Sequence, residues 1–435
     1  MKTIMKRPIA MLLALGLAVT SVAPLAAQDD GSDYDFANQS FKERWERTDR
    51  PVADGEIDRT WMWGPEANTD TLLEEYADSP DGVRQVQYFD KSRMEINDPT
   101  EDTGNLWQVT NGLLVVEMVE GRIQVGDDEF DHSPEPANVP IAGDVDVIPG
   151  MTYAKINELG LRYIEGRDEG TLINEAVRED EIVVDEQYDE YGVTAMEHVQ
   201  MDGVDNTVAS PFWGFMNEEG LIYQDGEYAY GDLFQNPFYA TGLPITEAYW
   251  ATVLVDDDPT DVLWQCFERR CLTYTPDNPD GWQVESGNVG LHYELWRYGD
   301  EGHTMQDIHV GLYAPGDGGQ QGYAFGCEDS LVTVDTQVQQ QVTPENDVRI
   351  ALQKLFSYEH DELSNLFAGS PIFVHTVGVS DGVANIWLVG DPELAGTCDD
   401  PRFVEQINAT AMQFDEVDNV NIHLNGEEFE MGEQQ

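Results

Sequence analysis

Between residues 343 and 429 the hydrophobic pattern switches between a period near 3.6 and a period of 2, and the switches predict four elements in the order helix, hairpin, helix, strand. Val348, Leu352, Leu355 and Phe356 share one stripe of a helix over 346–356, with Thr343 placed to cap it and Pro344 at its first position. The apolar, β-branched runs 372–379 and 383–389 flank Ser380, Asp381 and Gly382, a turn signal that predicts a hairpin. Asp400 and Pro401 open a second helix in which Val404, Ile407, Ala411 and Phe414 recur at spacings of 3, 4 and 3. Val420, Ile422 and Leu424 alternate with Asn421 and His423 up to Asn425 and Gly426, which predicts a last strand. The fold class is α+β, with two helices on one face of a small mixed sheet. Because the sheet needs both apolar stripes as cover, this section is expected to act through its other surfaces, as an interaction module that folds alone from Gly302.

The preceding chain is patterned differently. Over 60–298 many short runs rich in Trp, Tyr and Phe are broken by Gly, Pro, Asn and Asp, which predicts a β-rich region. Residues 107–116, 121–125, 251–255 and 261–275 read as strands, and 71–76 and 153–161 as helical pieces. An amphipathic helix is expected within 36–50, with Phe41 and Trp45 on one side and Pro51 ending it. The acidic stretch 165–190 is the expected internal seam, and 299–306 a linker to the C-terminal domain at 307–430. At the start, Lys2, Lys6 and Arg7 precede the apolar run 9–19 and small residues ending at Ala27, the pattern of a secretory signal peptide over 1–27, followed by an acidic leader at 28–39. That run falls short of the roughly 20 residues that span a bilayer.

Charge narrows the setting. The chain carries 22 basic and 85 acidic side chains, and removing Lys2, Lys6 and Arg7 with the signal takes the formal charge from −63 to −66. The acid is spread along the whole length, so it belongs to the surface rather than to a tail. Such a surface repels nucleic acid and anionic lipid, and its self-repulsion is relieved only by salt, whose Debye length falls to about 3 Å at 1 M. A saline or halophilic environment is expected. With 41% hydrophobic and 10% aromatic residues, the composition supports packed cores rather than disorder.

Two stretches resemble known sequences. The run DGVANIWLVGDPELAGTCDDPRFVEQINATAMQFDEVDNVNIHLNG resembles a GerMN (sporulation and germination, GerM-like) domain in its strand-helix-strand order and its closing V..V.I.LNG. The resemblance covers about the last 125 residues if 307–314 and 322–338 are its opening strands. It implies an extracellular or envelope assembly module without catalytic residues of its own. The chain departs from the many GerMN lipoproteins in having no cysteine near its start. The stretches RWERTDRPVADGEIDRTWMWGPEA, LWQVTNGLLVVEMVEGRIQVGDDEF and WQCFERRCLTYTPDNPDGWQVESGNVGLHYELWRYG are similar to a long uncharacterised region of exported proteins of Chloroflexota-type bacteria, which implies secretion and a mostly β architecture.

Four cysteines in an exported chain permit two disulfides. If Glu268 and Arg269 form a two-residue turn, Phe267 pairs with Arg270 and Cys266 faces Cys271 where Cα atoms are about 4.5 Å apart, at the short end of disulfide geometry. Cys327 is then left to Cys398. Other constellations suggest chemistry. Gly378 to Gly382 matches G-x-S-x-G, but a nucleophile elbow needs a helix after the turn, where 383–389 continues as a strand, so Ser380 reads as a turn residue. His303 and His309 flank Asp307 without a dense ligand spacing. For calcium, the acidic loops Asp256, Asp257, Asp258 with Asp261, and 277–280, offer hard oxygen ligands, though neither fits an EF-hand. Trp61, Trp63, Trp213, Trp250, Trp282 and Trp296 suit either core packing or a sugar-stacking face. Asn38 and Asn408 begin glycosylation sequons. No set of nucleophile, base and orienting group emerges. The expected function is therefore a non-catalytic secreted or envelope protein, acting in assembly or in binding a protein or glycan, without cofactor. The alternative is a secreted hydrolase with its site in 60–298.

Overall fold

The computed structural model describes residues 36–429 except 102–103, 143–149, 179, 202, 256–257, 300–301, 393 and 395. The signal and most of the acidic leader lie outside these residues. Helix α1 (Gln39–Thr48) is capped by Asn38, whose side chain accepts from Phe41 N, and buries Phe41. Pro51 does not end this helix. It sits in the first turn of a separate short helix, α2 (Arg50–Ala53), where proline has no intrahelical N–H to lose.

Strands β1 (Leu72–Glu75), β2 (Val83–Phe89) and β3 (Ser92–Ile96) form a meander. The helix expected at 71–76 is thus a strand. Leu72 and Leu73 are adjacent yet both buried, in different core clusters, because β1 is covered on both faces and shows no alternation to read. The opposite error falls at 107–116, expected as a strand. There a short 3-10 turn leads into helix α3 (Leu114–Glu120), which buries Leu114, Val115, Val116, Met118 and Val119 and closes on Gly121 at φ 65°. A fully buried run has no periodicity that separates helix from strand. The small ribbon β4 (Ile123–Gln124) and β5 (Phe130–Asp131) follows, then α4 (Tyr153–Glu158), capped by Thr152.

The acidic stretch expected as a seam supplies strands to the largest sheet instead. β6 (Glu175–Arg178) and β7 (Glu181–Val184) are followed by the hairpin β8 (Ala195–Met201) and β9 (Val204–Ala209), helix α5 (Ser210–Met216), and the hairpin β10 (Glu219–Gln224) and β11 (Glu227–Asp232). β12 (Tyr249–Val255), β13 (Asp258–Cys266), β14 (Cys271–Tyr274) and β15 (Val284–Ser286) then complete a six-stranded sheet in the order β15-β14-β13-β12-β6-β7. Trp250 of β12 is stacked on Tyr188 and on Tyr191, each 4.8 Å away, which anchors the acidic stretch through aromatic packing. Helix α6 (Val289–Tyr298) ends this part of the chain.

The C-terminal section begins with β16 (Met305–Ala314), β17 (Tyr323–Phe325) and β18 (Asp329–Gln339), a sheet in the order β16-β18-β17. Then come α7 (Pro344–Ser357), the hairpin β19 (Ile372–Ser380) and β20 (Val383–Gly390), α8 (Asp399–Ala411), β21 (Asn419–Leu424) and β22 (Glu427–Glu428). β20 and β21 are parallel and the other neighbours antiparallel, so the second sheet is mixed, and the chain as a whole is α+β. Both helices touch both sheets, so the small sheet is not their only cover. Gln406 and Thr410 of α8 bond the backbone of Gly311 in β16, where a Cβ would stand 2.8 Å from that of Ala409.

Segments before residue 299 also complete this section. Leu73 packs into its core and donates its N–H to Gln339 Oε1 at 2.9 Å. Lys354 of α7 is ion-paired with Asp70 at 2.6 Å. Asp81, at φ 57°, bonds Arg349 of α7 and the Thr376 hydroxyl, and accepts from Val377 N at 2.9 Å beside a bulge in β19. A fragment from Gly302 would leave the buried Arg349 and Lys354 without these carboxylates, which revises the expectation that it folds alone. In the full chain, Asp81→Ala should lower stability by about 2 kcal/mol in urea melts. The effect stays below that of a fully buried pair because the Asp81 side chain is 27% exposed. A change under 0.5 kcal/mol, the scale of ordinary surface substitutions, would mean that this contact is incidental.

Candidate functional site

Five separated segments meet around a cleft of about 550 Å³. Asn68, Thr69 and Asp70 enter from the approach to β1, Glu294 from α6, His303 and Met305 from the start of β16, Thr336 and Gln337 from β18, and Lys354 from α7. The volume is that of an ordinary ligand pocket. Its charges are partly matched, since Lys354 is held by Asp70.

His303 is the wall between the cleft and the interior. Its side chain is only 8% exposed, its Nε2 lies 3.4 Å from Glu294 Oε1 without a hydrogen bond, and its ring sits 4.2 Å from that of Tyr298. Asn68 Nδ2, on the same cleft, is also buried without a partner among the described residues.

Behind His303 lies a buried charge cluster. Glu74 accepts from Tyr88 OH at 2.6 Å and Tyr298 OH at 2.8 Å through Oε1. Through Oε2 it accepts from Arg297 at 2.7 Å, Arg93 at 2.9 Å and Arg84 at 3.3 Å. Burial alone would raise the Glu74 carboxyl, but Arg297, Arg93 and Arg84 outweigh it and hold it well below the usual carboxylate range. Burial, reinforced by the Glu74 charge, pushes both Tyr88 and Tyr298 up, so they stay protonated and donate. Glu95 closes the cluster, accepting from Arg93 at 2.5 Å and Thr110 at 2.9 Å. Glu117, raised by burial, takes the Tyr293 hydroxyl at 2.5 Å.

The residues singled out in the sequence are dispersed. Cys266 is joined to Cys271 across β13 and β14, with Cα atoms 4.0 Å apart, and Cys327 to Cys398, 5.8 Å apart. Ser380 is the last residue of β19, followed by Asp381 and Gly382 at φ 51° and 78° and then by β20: a hairpin turn with no helix behind the serine. His303 lines the cleft, whereas His309 lies within β16, its backbone bonded to Gln413. Among the described residues no group of three His, Cys, Asp or Glu converges as metal ligands; Asp256 and Asp257 of the calcium expectation lie outside them. Trp63 and Trp250 are core residues, and the Asn38 amide is tied to Gln85. What the sequence reading missed is Glu74, Arg84, Arg93 and Arg297. The available signal was Arg84 and Arg93 inside strands, and Arg297 in the last turn of a helix, of a chain with few basic residues.

The chain matches no protein-family model and no curated protein. Among solved structures it is similar to the first GerMN domain of the sporulation protein GerM from Bacillus subtilis, at 17% identity and a TM-score of 0.22, covering 29% of this chain and 90% of that one. Nothing in these comparisons supports the resemblance of residues 40–298 to Chloroflexota-type proteins.

Proposed function

We propose that this is a non-catalytic secreted or cell-envelope protein that binds a glycan or protein partner in the cleft beside His303. The observation that carries the reading is the presence on one cleft of two buried nitrogens, His303 Nε2 and Asn68 Nδ2, that make no hydrogen bond among the described residues, His303 Nε2 facing only Glu294 Oε1 at 3.4 Å. Hydroxyl or carbonyl oxygens of a ligand would satisfy both, and a buried polar atom left unpaired costs about 1–3 kcal/mol. Leu72 and Met305 supply apolar contact in the same cleft.

Probing glycan and peptide arrays with the mature protein tests this. Thr336→Trp, which puts an indole into the cleft from a half-buried strand position, should weaken any bound ligand by at least about tenfold, or 1.4 kcal/mol. Ligands indifferent to that substitution would place binding elsewhere. Ester or peptide hydrolysis that survives purification but not Ser380→Ala, with the fold intact, would replace the reading with a G-x-S-x-G nucleophile at Ser380.

The environment we propose is saline. Molar sodium or potassium chloride should raise the melting temperature of the mature chain, whose formal charge is −66, by screening its self-repulsion. A melting curve indifferent to salt refutes this and leaves the acidity unexplained.

A further inference from the structure

A second depression, of about 210 Å³, opens at the start of α6. The turn of the β2–β3 hairpin, Asp90 and Lys91, lies directly on the helix, the Asp90 carbonyl accepting from Gly290 N at 3.1 Å and Leu291 N at 3.3 Å. A Cβ at Gly290 would stand 1.9 Å from the Phe89 carbonyl oxygen, so only glycine permits this approach. The clamp fixes Lys91 beside the helix N-terminus, where its Nζ donates to Asn288 Oδ1 at 2.8 Å. Asn288 is the N-cap residue of α6, yet its side chain makes no capping bond.

Lys91 stands apart from the other described lysines. Lys42, Lys155 and Lys354 pair with carboxylates at 3.1, 2.9 and 2.6 Å. Lys91 forms no salt bridge among the described residues, in a chain with 85 acidic side chains. Glu285 shares the depression and acts on it only through space. Burial pushes the Lys91 ammonium down and the Glu285 carboxyl up, each partly offset by the other group. His292, one turn further along α6, also lines the depression, with Nδ1 2.9 Å from the Tyr153 hydroxyl. Burial lowers its imidazole to about 4, so it is neutral at pH 7, and burial keeps Tyr153 protonated. A phenol donating to Nδ1 leaves the ring proton on Nε2, which makes that nitrogen a donor. Thr273 and Thr275 add hydroxyls.

We propose that this depression binds a small monocarboxylate, or the carboxylate end of a longer ligand, through Lys91 and His292. An ammonium favours an anion, and charge-assisted donors hold it about twice as strongly as neutral ones. The depression holds a single lysine, so at most one negative charge is matched, and Glu285 opposes any further one, which disfavours a dianion. The volume lies below the roughly 300 Å³ of common ligand pockets, which selects a small acid. The site is separate from the cleft beside His303, so either can fail alone.

The test is titration calorimetry of the mature protein with sodium acetate, sodium glucuronate and inorganic phosphate at constant ionic strength. Acetate or glucuronate should bind saturably and more tightly than phosphate. Lys91→Met should weaken binding about tenfold, and Lys91→Arg should restore most of it. Glu285→Gln should tighten it, because a like charge is removed. Tighter binding of phosphate, no saturable carboxylate binding, or an affinity unchanged in Lys91→Met would each overturn the proposal. If Lys91→Met does not fold, Thr275→Val must weaken binding measurably, and its failure to do so overturns the proposal equally.

Discussion

Replacing Glu74 with alanine is expected to cost the folded state roughly 3–5 kcal/mol, a large part of the total stability of an ordinary domain. The side chain is fully buried and serves Arg84, Arg93 and Arg297 at once. Without it, Arg84 and Arg93 share Glu95, Arg297 keeps only the Tyr293 hydroxyl, and the Tyr88 and Tyr298 hydroxyls lose their acceptor. Glu74→Gln should be milder, since it keeps an acceptor oxygen and loses the charge. The penalty should be the same at low and molar salt, because screening acts on surface charges and hardly on a buried cluster. The pH dependence has a fixed sign. A folded-state value below the ordinary 4.5 means stability that is fully present above that value and lost as pH falls through the acid range. Glu95 and Asp81, also lowered, act in the same direction. Asp49 and Glu117, raised by burial, act oppositely and favour the folded state as pH falls. Urea melts between pH 3 and 7 should therefore show an acid limb that flattens in Glu74→Gln. A loss under 1 kcal/mol in Glu74→Ala would mean that solvent or rearrangement satisfies the arginines.

The second large effect is expected at the disulfide between Cys327 and Cys398. It closes a loop of 71 residues, so by chain entropy its removal costs about 4 kcal/mol, against about 2 kcal/mol for the bridge of Cys266 and Cys271 with its separation of 5. It joins the turn before β18, where Cys327 and Glu328 both have positive φ, to the residue that opens α8. Arg402 reinforces the junction through Asp329 at 2.7 Å and Asp399 at 3.1 Å. Cys327 is exposed, whereas Cys266 and Cys271 are fully buried. Mild reductant should therefore open the C-terminal bridge first and lower the melting temperature, leaving the hairpin bridge intact. Non-reducing peptide maps check both links, and a peptide joining Cys271 to Cys398 would sink the pairing.

The C-terminal section was legible because each local signal agreed with its environment. Thr343 accepts from Asn346 N as an N-cap, Asp381 and Gly382 take the positive φ of a hairpin turn, and Val348, Leu352 and Leu355 bury one face of α7. Ile350 and Ala351 are buried as well, which the stripe did not foretell, because α7 packs against both sheets. At 71–76 and 107–116 the pattern misled for a common reason: apolar residues buried on every side carry no period. The cleft was invisible in the sequence. Asn68, Glu294, His303, Thr336 and Lys354 are brought together only by the packing of distant segments, and none belongs to a motif.

The seating of Asp81 on β19 has a further consequence for how copies of this protein meet. β19 is the outermost strand of its sheet, and an outer strand offers free amide and carbonyl groups to any extended chain. Asp81 occupies the Val377 amide, and the bulge at His375 puts the row out of step. Salt that screens so acidic a surface also removes the repulsion that keeps molecules apart. In brine, the protection against fibrous self-assembly then rests on this local block rather than on charge. Light scattering of Asp81→Ala should accordingly rise with added salt, while the parent chain stays clear.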